Sequence, residues 1–389
     1  MHRSSSRARC YYKVQRLPRY DRKSSRARGI VLRARGPVPP SIRRGIAKSG
    51  IGEPVRIHSS EAPASAGPRA HAASAARATR HCHPLELLLV AAALLVALCE
   101  PTLATPRLHE AKSWAFQLQN VDPLEVKLSP YDVIVIDYGF DTRAGTVFPR
   151  EVVDLMRTRP DGTRRLVIAY LSIGEAESYR SYWQESWTTA RPDWLDPENP
   201  DWPGNYLVQF WRPEWQRLVY GSADAYLDRI IEAGFDGVYL DGADTFERWR
   251  RRRPTAVADM VDLVAGIAGY ARAARKDFLI IAQNADGLLG QPRFLRAIDG
   301  FAREDLLYGE KEPEARNSQR SIAESARRLR PLVAAGVPVF IVEYTSNPDL
   351  AAAMLREIRG FGYAGYIARR DLRSLSPPAF GCGQPDCSQ

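Results

Sequence analysis

The chain has 389 residues, 45% of them hydrophobic, which suits one large folded domain or two small ones and excludes a low-complexity scaffold for most of its length. Its net charge of +10 belongs to the first 80 residues, where 19 Lys and Arg meet only Asp21, Glu53 and Glu61. The remainder holds 36 basic and 42 acidic side chains and offers no basic surface for nucleic acid.

All six histidines lie at or before His109, and the five cysteines are Cys10, Cys82, Cys99, Cys382 and Cys387. Residues 110–381 therefore lack the means for a Ser-His-Asp triad, a cysteine nucleophile or the usual His/Cys zinc sites. Chemistry there must use carboxylates, hydroxyls, amides or arginines.

Residues 1–80, rich in Arg, Ser, Ala and Pro without apolar periodicity, read as a disordered basic extension. Residues 81–104 read as a signal-peptide-like segment. The run Leu87 to Leu98 is apolar and uncharged over 12 residues, follows Arg77 and Arg80, and precedes the small-residue site Thr102-Leu103-Ala104. A spanning helix needs about 20 apolar residues and a signal core about 7 to 15, so cleavage after Ala104 is expected. The mature protein would then be secreted or periplasmic, meeting a membrane only during export. An oxidising setting would allow Cys382 and Cys387, in the tail 372–389, to close a small disulfide loop.

From residue 113 onward, apolar β-branched runs alternate with helical stretches. Strands are expected at 113–119, 132–137, 166–173, 236–241, 278–283, 299–304, 337–343 and 363–368. One helix is expected from Pro213 to Ala233 and another from Asn347 to Arg359. Continuous apolar strands separated by helices imply a parallel sheet covered on both faces, and eight units over 113–371 predict a single (β/α)8 TIM barrel. The G-x-G-x-x-G match at Gly360 to Gly365 follows a helix and precedes a strand, the reverse of a phosphate-binding turn. The long excursion at 175–235 holds Trp183, Trp187, Trp194, Trp202, Trp211 and Trp215; at least half of these are expected to form a small core and the others to stack on sugar.

Barrel active sites lie at the C-terminal strand ends. The polar residues there are Asp137, Glu175, Glu177, Asp241, Asp244, Asn284, Glu304, Tyr344, Arg369 and Arg370. In GFDGVYLDGAD (234–244), Val238 and Leu240 should meet the helices, turning Gly237, Tyr239 and Asp241 inward. The same parity turns Tyr170 and Ser172 to the axis and sets Glu304 on one side with Gly300 and Ala302. Two rim carboxylates without histidine suggest glycoside hydrolysis, with a hard-metal site on Asp241, Asp244 and Glu304 as the other enzymatic reading. No lysine ends a strand, which disfavours Schiff-base chemistry.

The segments AYLSIGEAESYR (169–180), GFDGVYLDGAD (234–244), AQNAD (282–286), GFARED (300–305) and VEYTSN (342–347) resemble the motif series of glycoside hydrolase family 114, the endo-α-1,4-polygalactosaminidase-like barrels. The resemblance runs from about Ser113 to Asp371. It implies retaining hydrolysis of α-1,4-linked galactosamine polymers, with Asp241 as nucleophile and Glu304 as acid/base. Asp236 and Asp244 compete for the first role and Asp305 for the second. Asp137, Tyr170, Glu175, Asp244, Asn284 and Tyr344 are expected to bind the sugar. No cofactor is implied and no metal is expected; the partner is a polysaccharide and a monomer is expected. Glu304 is expected to be the more enclosed carboxyl, at about 5 to 5.5 Å from Asp241. The reading from another class is a polysaccharide-binding or surface-assembly protein on the same barrel that turns nothing over.

Overall fold

A computed structural model of the protein describes residues 107–141 and 145–375. The basic extension, the signal-peptide-like segment and the Cys382/Cys387 pair lie outside them. Among the described residues no helix is long and apolar enough to cross a membrane.

Eight strands form one parallel sheet in the order β1 (Trp114–Gln117), β2 (Val133–Ile136), β3 (Leu166–Ser172), β7 (Gly237–Asp241), β8 (Leu279–Gln283), β9 (Gly300–Glu304), β10 (Val339–Tyr344) and β11 (Ala364–Ala368). Most are short runs of β-branched and aromatic residues buried along most of their length, as a sheet covered on both faces requires. The edges β1 and β11 meet without a ladder. Their seam is fastened by the Trp114 indole donating to the Ala364 carbonyl (3.1 Å) and by the Leu118 and Gln119 amides donating to the Leu372 carbonyl (both 3.0 Å). The result is the expected (β/α)8 barrel, nearly closed.

Inward-facing aromatics fill the interior. Phe116 and Tyr239 stand with ring centroids 5.0 Å apart, and Trp114 lies 5.4 Å from Phe340 and 5.8 Å from Tyr366. Tyr239 is therefore inward, as alternation along β7 required.

At the N-terminal end a repeated device sets the register. Asp132, Asp236 and Asp299 each stand just before a strand and accept the backbone N–H of the neighbouring one: Ser113 (3.0 Å), Val167 (2.9 Å) and Ile280 (2.8 Å). Asp236, 1% exposed, is further held by Arg157, Arg164 and Arg275. This removes it from the mouth and from the competition for a catalytic role.

The helix Pro348–Gly360 begins where Asn347 caps the amides of Asp349 and Leu350, and Gly362 (φ +80°) turns the chain into β11, so the glycine motif is a helix-to-strand turn. The single helix expected from Pro213 to Ala233 is instead two, Pro213–Val219 and Tyr226–Ala233. Gly221 adopts φ +87° between them, a conformation no helix interior accommodates.

The excursion after β3 holds a second sheet that the sequence reading missed. Strands β4 (Glu175–Glu177), β5 (Leu195–Glu198) and β6 (Asn205–Val208) pair antiparallel in the order β4-β6-β5. Most of its tryptophans form the expected small core, with Trp183, Trp187, Trp194 and Trp215 touching in series at 5.1 to 5.6 Å. Trp202 differs, at 43% exposed.

Candidate active site

The mouth is assembled where β3 and β7 run side by side, with Ser172 in register with Asp241. Just beyond the strand ends, Gly174 and Gly242 touch backbone to backbone: a Cβ on Gly242 would lie 2.9 Å from the Gly174 nitrogen, and one on Gly174 would lie 2.2 Å from the Gly242 oxygen. This approach brings the start of the excursion, with Glu175, beside Asp241.

Asp241 is half-buried with both oxygens engaged. Its Oδ2 accepts the Tyr170 hydroxyl at 2.6 Å and its Oδ1 accepts the Gly242 amide at 2.8 Å. Burial, reinforced by the charges of Glu304, Asp244 and Glu175, pushes its carboxyl up to about 8 against the pull of Tyr170. Tyr170 keeps its proton, because burial and the nearby Asp241 and Glu177 charges raise it well above the ordinary phenol range.

Glu304, also half-buried, ends β9. Its Oε2 accepts the Asn284 side-chain amide at 3.2 Å, its own backbone N–H donates to Asn284 Oδ1 at 3.1 Å, and its Oε1 accepts the Tyr344 hydroxyl. Asn284 makes this clasp from the left-handed region, φ +55°, which asparagine tolerates better than most residues. Burial and the Asp305 charge raise the Glu304 carboxyl, while Tyr344, Arg370 and Asn284 pull it down. Both carboxyls are half-buried.

Neither Asp241 nor Glu304 forms a salt bridge with a described residue, and the charge of Glu304 raises Asp241. Asp305 is different. Arg370 grips both its oxygens, at 2.8 and 3.1 Å, and lies 3.7 Å from the centroid of the Tyr344 ring. A carboxylate held in that fork is a poor proton donor, so the geometry favours Glu304 over its neighbour.

The expected sugar-binding residues fall into three groups. Tyr170, Asn284 and Tyr344 support the two carboxyls directly. Glu175 is held by the side-chain amides of Asn199 (2.7 Å) and Asn205 (3.2 Å), and Asp137 by Arg180, whose Nη1 reaches both its oxygens at 2.8 Å. Among the described residues no side chain donates a hydrogen bond to Asp244, which stands exposed at the rim. Desolvation by the surrounding protein, with the Glu175 and Glu304 charges, still raises it to about 6, a shift that its solvent contact softens. Among the described residues no group of three His, Cys, Asp or Glu side chains is arranged to hold a metal ion.

Three participants were missed in the sequence: Asn199, Asn205 and Arg180. Arg180 is 3% exposed, and its Nε donates to Glu177 at 2.6 Å. Burial opposes its charge, but the Asp137 and Glu177 carboxylates outweigh that and hold the guanidinium protonated. The available signal was an arginine three residues after Glu177 in a strand-end loop.

Comparison with known proteins follows the same outline. The sequence profile of the glycoside-hydrolase family GH114 matches residues 97–382. An uncharacterised protein of Deinococcus radiodurans is 38% identical over 279 residues, 71% of this chain and 86% of the relative. One of Thermotoga maritima is 33% identical over 307 residues, 75% of this chain and 91% of the relative. Among solved structures, the glycoside hydrolase domain of PelA from Pseudomonas aeruginosa aligns with a TM-score of 0.54 at 17% identity, covering 68% of this chain and 97% of that one; the likeness is one of fold.

Proposed function

The chain belongs to the glycoside-hydrolase family GH114, and from that premise we propose that it cleaves internally, by double displacement, a polysaccharide containing α-1,4-linked galactosamine. Asp241 attacks the anomeric carbon while Glu304 protonates the departing glycosidic oxygen. Glu304, now ionised, then takes a proton from the water that displaces Asp241 and restores the free site.

The observation that carries this reading is the pair itself: two half-buried carboxyls at the C-terminal ends of β7 and β9, with β8 between them, each oriented by a tyrosine hydroxyl and neither in a salt bridge with a described residue. The Glu304 charge adds to the burial that raises Asp241. In the free site Asp241 is pushed up to about 8, higher than a nucleophile needs. Substrate reverses that balance, since positive charge developing at the anomeric carbon stabilises the Asp241 anion. A protonated amino group on the sugar adds to the effect and would also meet Asp244 and Glu175. A mouth lined by carboxylates thus suits a cationic, partly deacetylated polymer.

Release of reducing ends from a polymer of mixed galactosamine and N-acetylgalactosamine tests the proposal, with the fully acetylated polymer as comparison. Rapid early loss of viscosity marks internal cleavage. Binding without cleavage would replace hydrolysis by the polysaccharide-binding reading. We also propose export with removal of the segment ending at Ala104; N-terminal sequencing of the mature protein that finds residues 1–80 would overturn it.

A further inference from the structure

We propose that Arg180 and Glu177 act as a positioning pair that assigns the one proton of the Tyr170 hydroxyl to Asp241. The inference rests on the role given above to Asp241, but its geometry is independent of any substrate. Tyr170 has two acceptors in reach, Asp241 Oδ2 at 2.6 Å and Glu177 Oε1 at 3.3 Å. One hydroxyl cannot serve both fully, so the state of Glu177 decides how much of the bond Asp241 receives.

Glu177 is 1% exposed, and both its oxygens are already engaged. Oε1 accepts the Tyr179 hydroxyl at 2.6 Å and Oε2 accepts Arg180 Nε at 2.6 Å. Arg180 is fixed in turn by Asp137 at 2.8 Å, and its guanidinium lies 5.2 to 5.7 Å from the ring centroids of Tyr138, Tyr170, Tyr179 and Tyr226. Such a cation, sandwiched between carboxylates and aromatic faces, has no room to turn away. With Glu177 saturated from this side, the Tyr170 proton is left to Asp241.

The other groups facing Asp241 are Glu175 from β4, Asp244 beyond β7 and Glu304 from β9, all of which repel its charge. Tyr170 is the side chain that donates to it. Besides Tyr170, Glu177 is faced by Arg180, Tyr179 and Tyr182, the last accepting the Glu177 backbone N–H at 2.9 Å. Removing Arg180 would leave Glu177 without its charged donor in a buried site and strengthen its competition for the Tyr170 hydroxyl, which already lies 3.3 Å from Oε1.

The test is a titration of the Asp241 carboxyl carbon by 13C NMR in the full chain labelled at aspartate, with the resonance identified by its loss in Asp241→Asn. It needs no turnover. Tyr170→Phe is expected to raise the Asp241 midpoint by about one pH unit, since a donor to the anion is lost. Arg180→Met is expected to raise it as well, and Glu177→Gln, which removes the competing carboxylate, to lower it. In a Tyr170→Phe background the Glu177→Gln shift should fall by at least half, because no hydroxyl remains to be assigned. An equal shift in both backgrounds would mean that Glu177 acts through its field alone and would overturn the proposal, as would an unchanged or lowered midpoint in Arg180→Met. Should Arg180→Met fail to fold, the cycle of the two near-isosteric changes decides alone. If the NMR cycle holds while the unsubstituted protein releases no reducing ends, the hydrolase reading fails and the proton assignment stands.

Discussion

Arg370 lies over the ring of Tyr344, 3.7 Å from its centroid, while the hydroxyl at the far end of that ring donates to Glu304. The stack fixes the ring, and the ring aims the carboxyl. Tyr344→Phe keeps the stack but removes a bond that pulls the Glu304 carboxyl down, so its midpoint should rise. A group working as an acid stays protonated to higher pH, and the alkaline limb of the rate profile should move up by about half a unit to one unit. Reducing-end release measured from pH 5 to 10 checks the shift.

Asp241→Asn and Glu304→Gln should each lower turnover by about three orders of magnitude or more with the circular dichroism spectrum unchanged, as neither alters side-chain volume much. Proton NMR of the first product should show the α anomer, the stereochemical mark of two displacements. A β product would transfer the role of Asp241 to water activation. With the chemistry carried by carboxyls, EDTA is expected to leave the rate unaltered. A loss restored by magnesium or calcium would instead make Asp241 and Asp244 ligands.

Why Asp241 and Glu304 could be placed at the mouth from sequence, while Arg180, Asn199 and Asn205 could not, follows from distance along the chain. Most barrel strands open on an apolar run, and alternation along β7 and β9 places Asp241 and Glu304 on the inward side without knowledge of any partner. Arg180 instead acts through Asp137, 43 residues earlier. Glu175–Glu177 is only three residues long and shows no period. Gly221 sits in a stretch whose apolar spacing continues across it, so the helical pattern hides the break.

The contact between Gly174 and Gly242 should be intolerant of even a methyl group. Gly242→Ala must accept both φ +72° and a contact of 2.9 Å to the Gly174 backbone, and is expected to lose about 2 to 4 kcal/mol of stability in urea unfolding. Gly221→Ala shares the positive φ but meets nothing within 4 Å, and should lose about 1 kcal/mol.

Glu343, fully buried on the opposite face of β10 from Tyr344, accepts the Leu307 amide at 2.7 Å and the Tyr308 amide at 3.2 Å. Burial pushes its carboxyl up to about 8 from an ordinary 4.5. Between those values the folded chain binds a proton that the unfolded chain releases, so this group's contribution to stability declines as pH rises from about 4.5 to 8 and levels off above. Glu343→Gln should flatten the fall of Tm across that window; an unaltered slope would remove Glu343 as its source.

The strand-start aspartates imply a division within the barrel. Asp132, Asp236 and Asp299 fasten their staves at the floor, through bonds that no mouth residue shares. Specificity can therefore change by grafting different loops onto the upper rim without slackening the hoop beneath. Mutational tolerance should run from high at the exposed segment 188–191 of the excursion to almost none at these three carboxylates, and a family on this scaffold can diversify its upper rim while the foundation stays put.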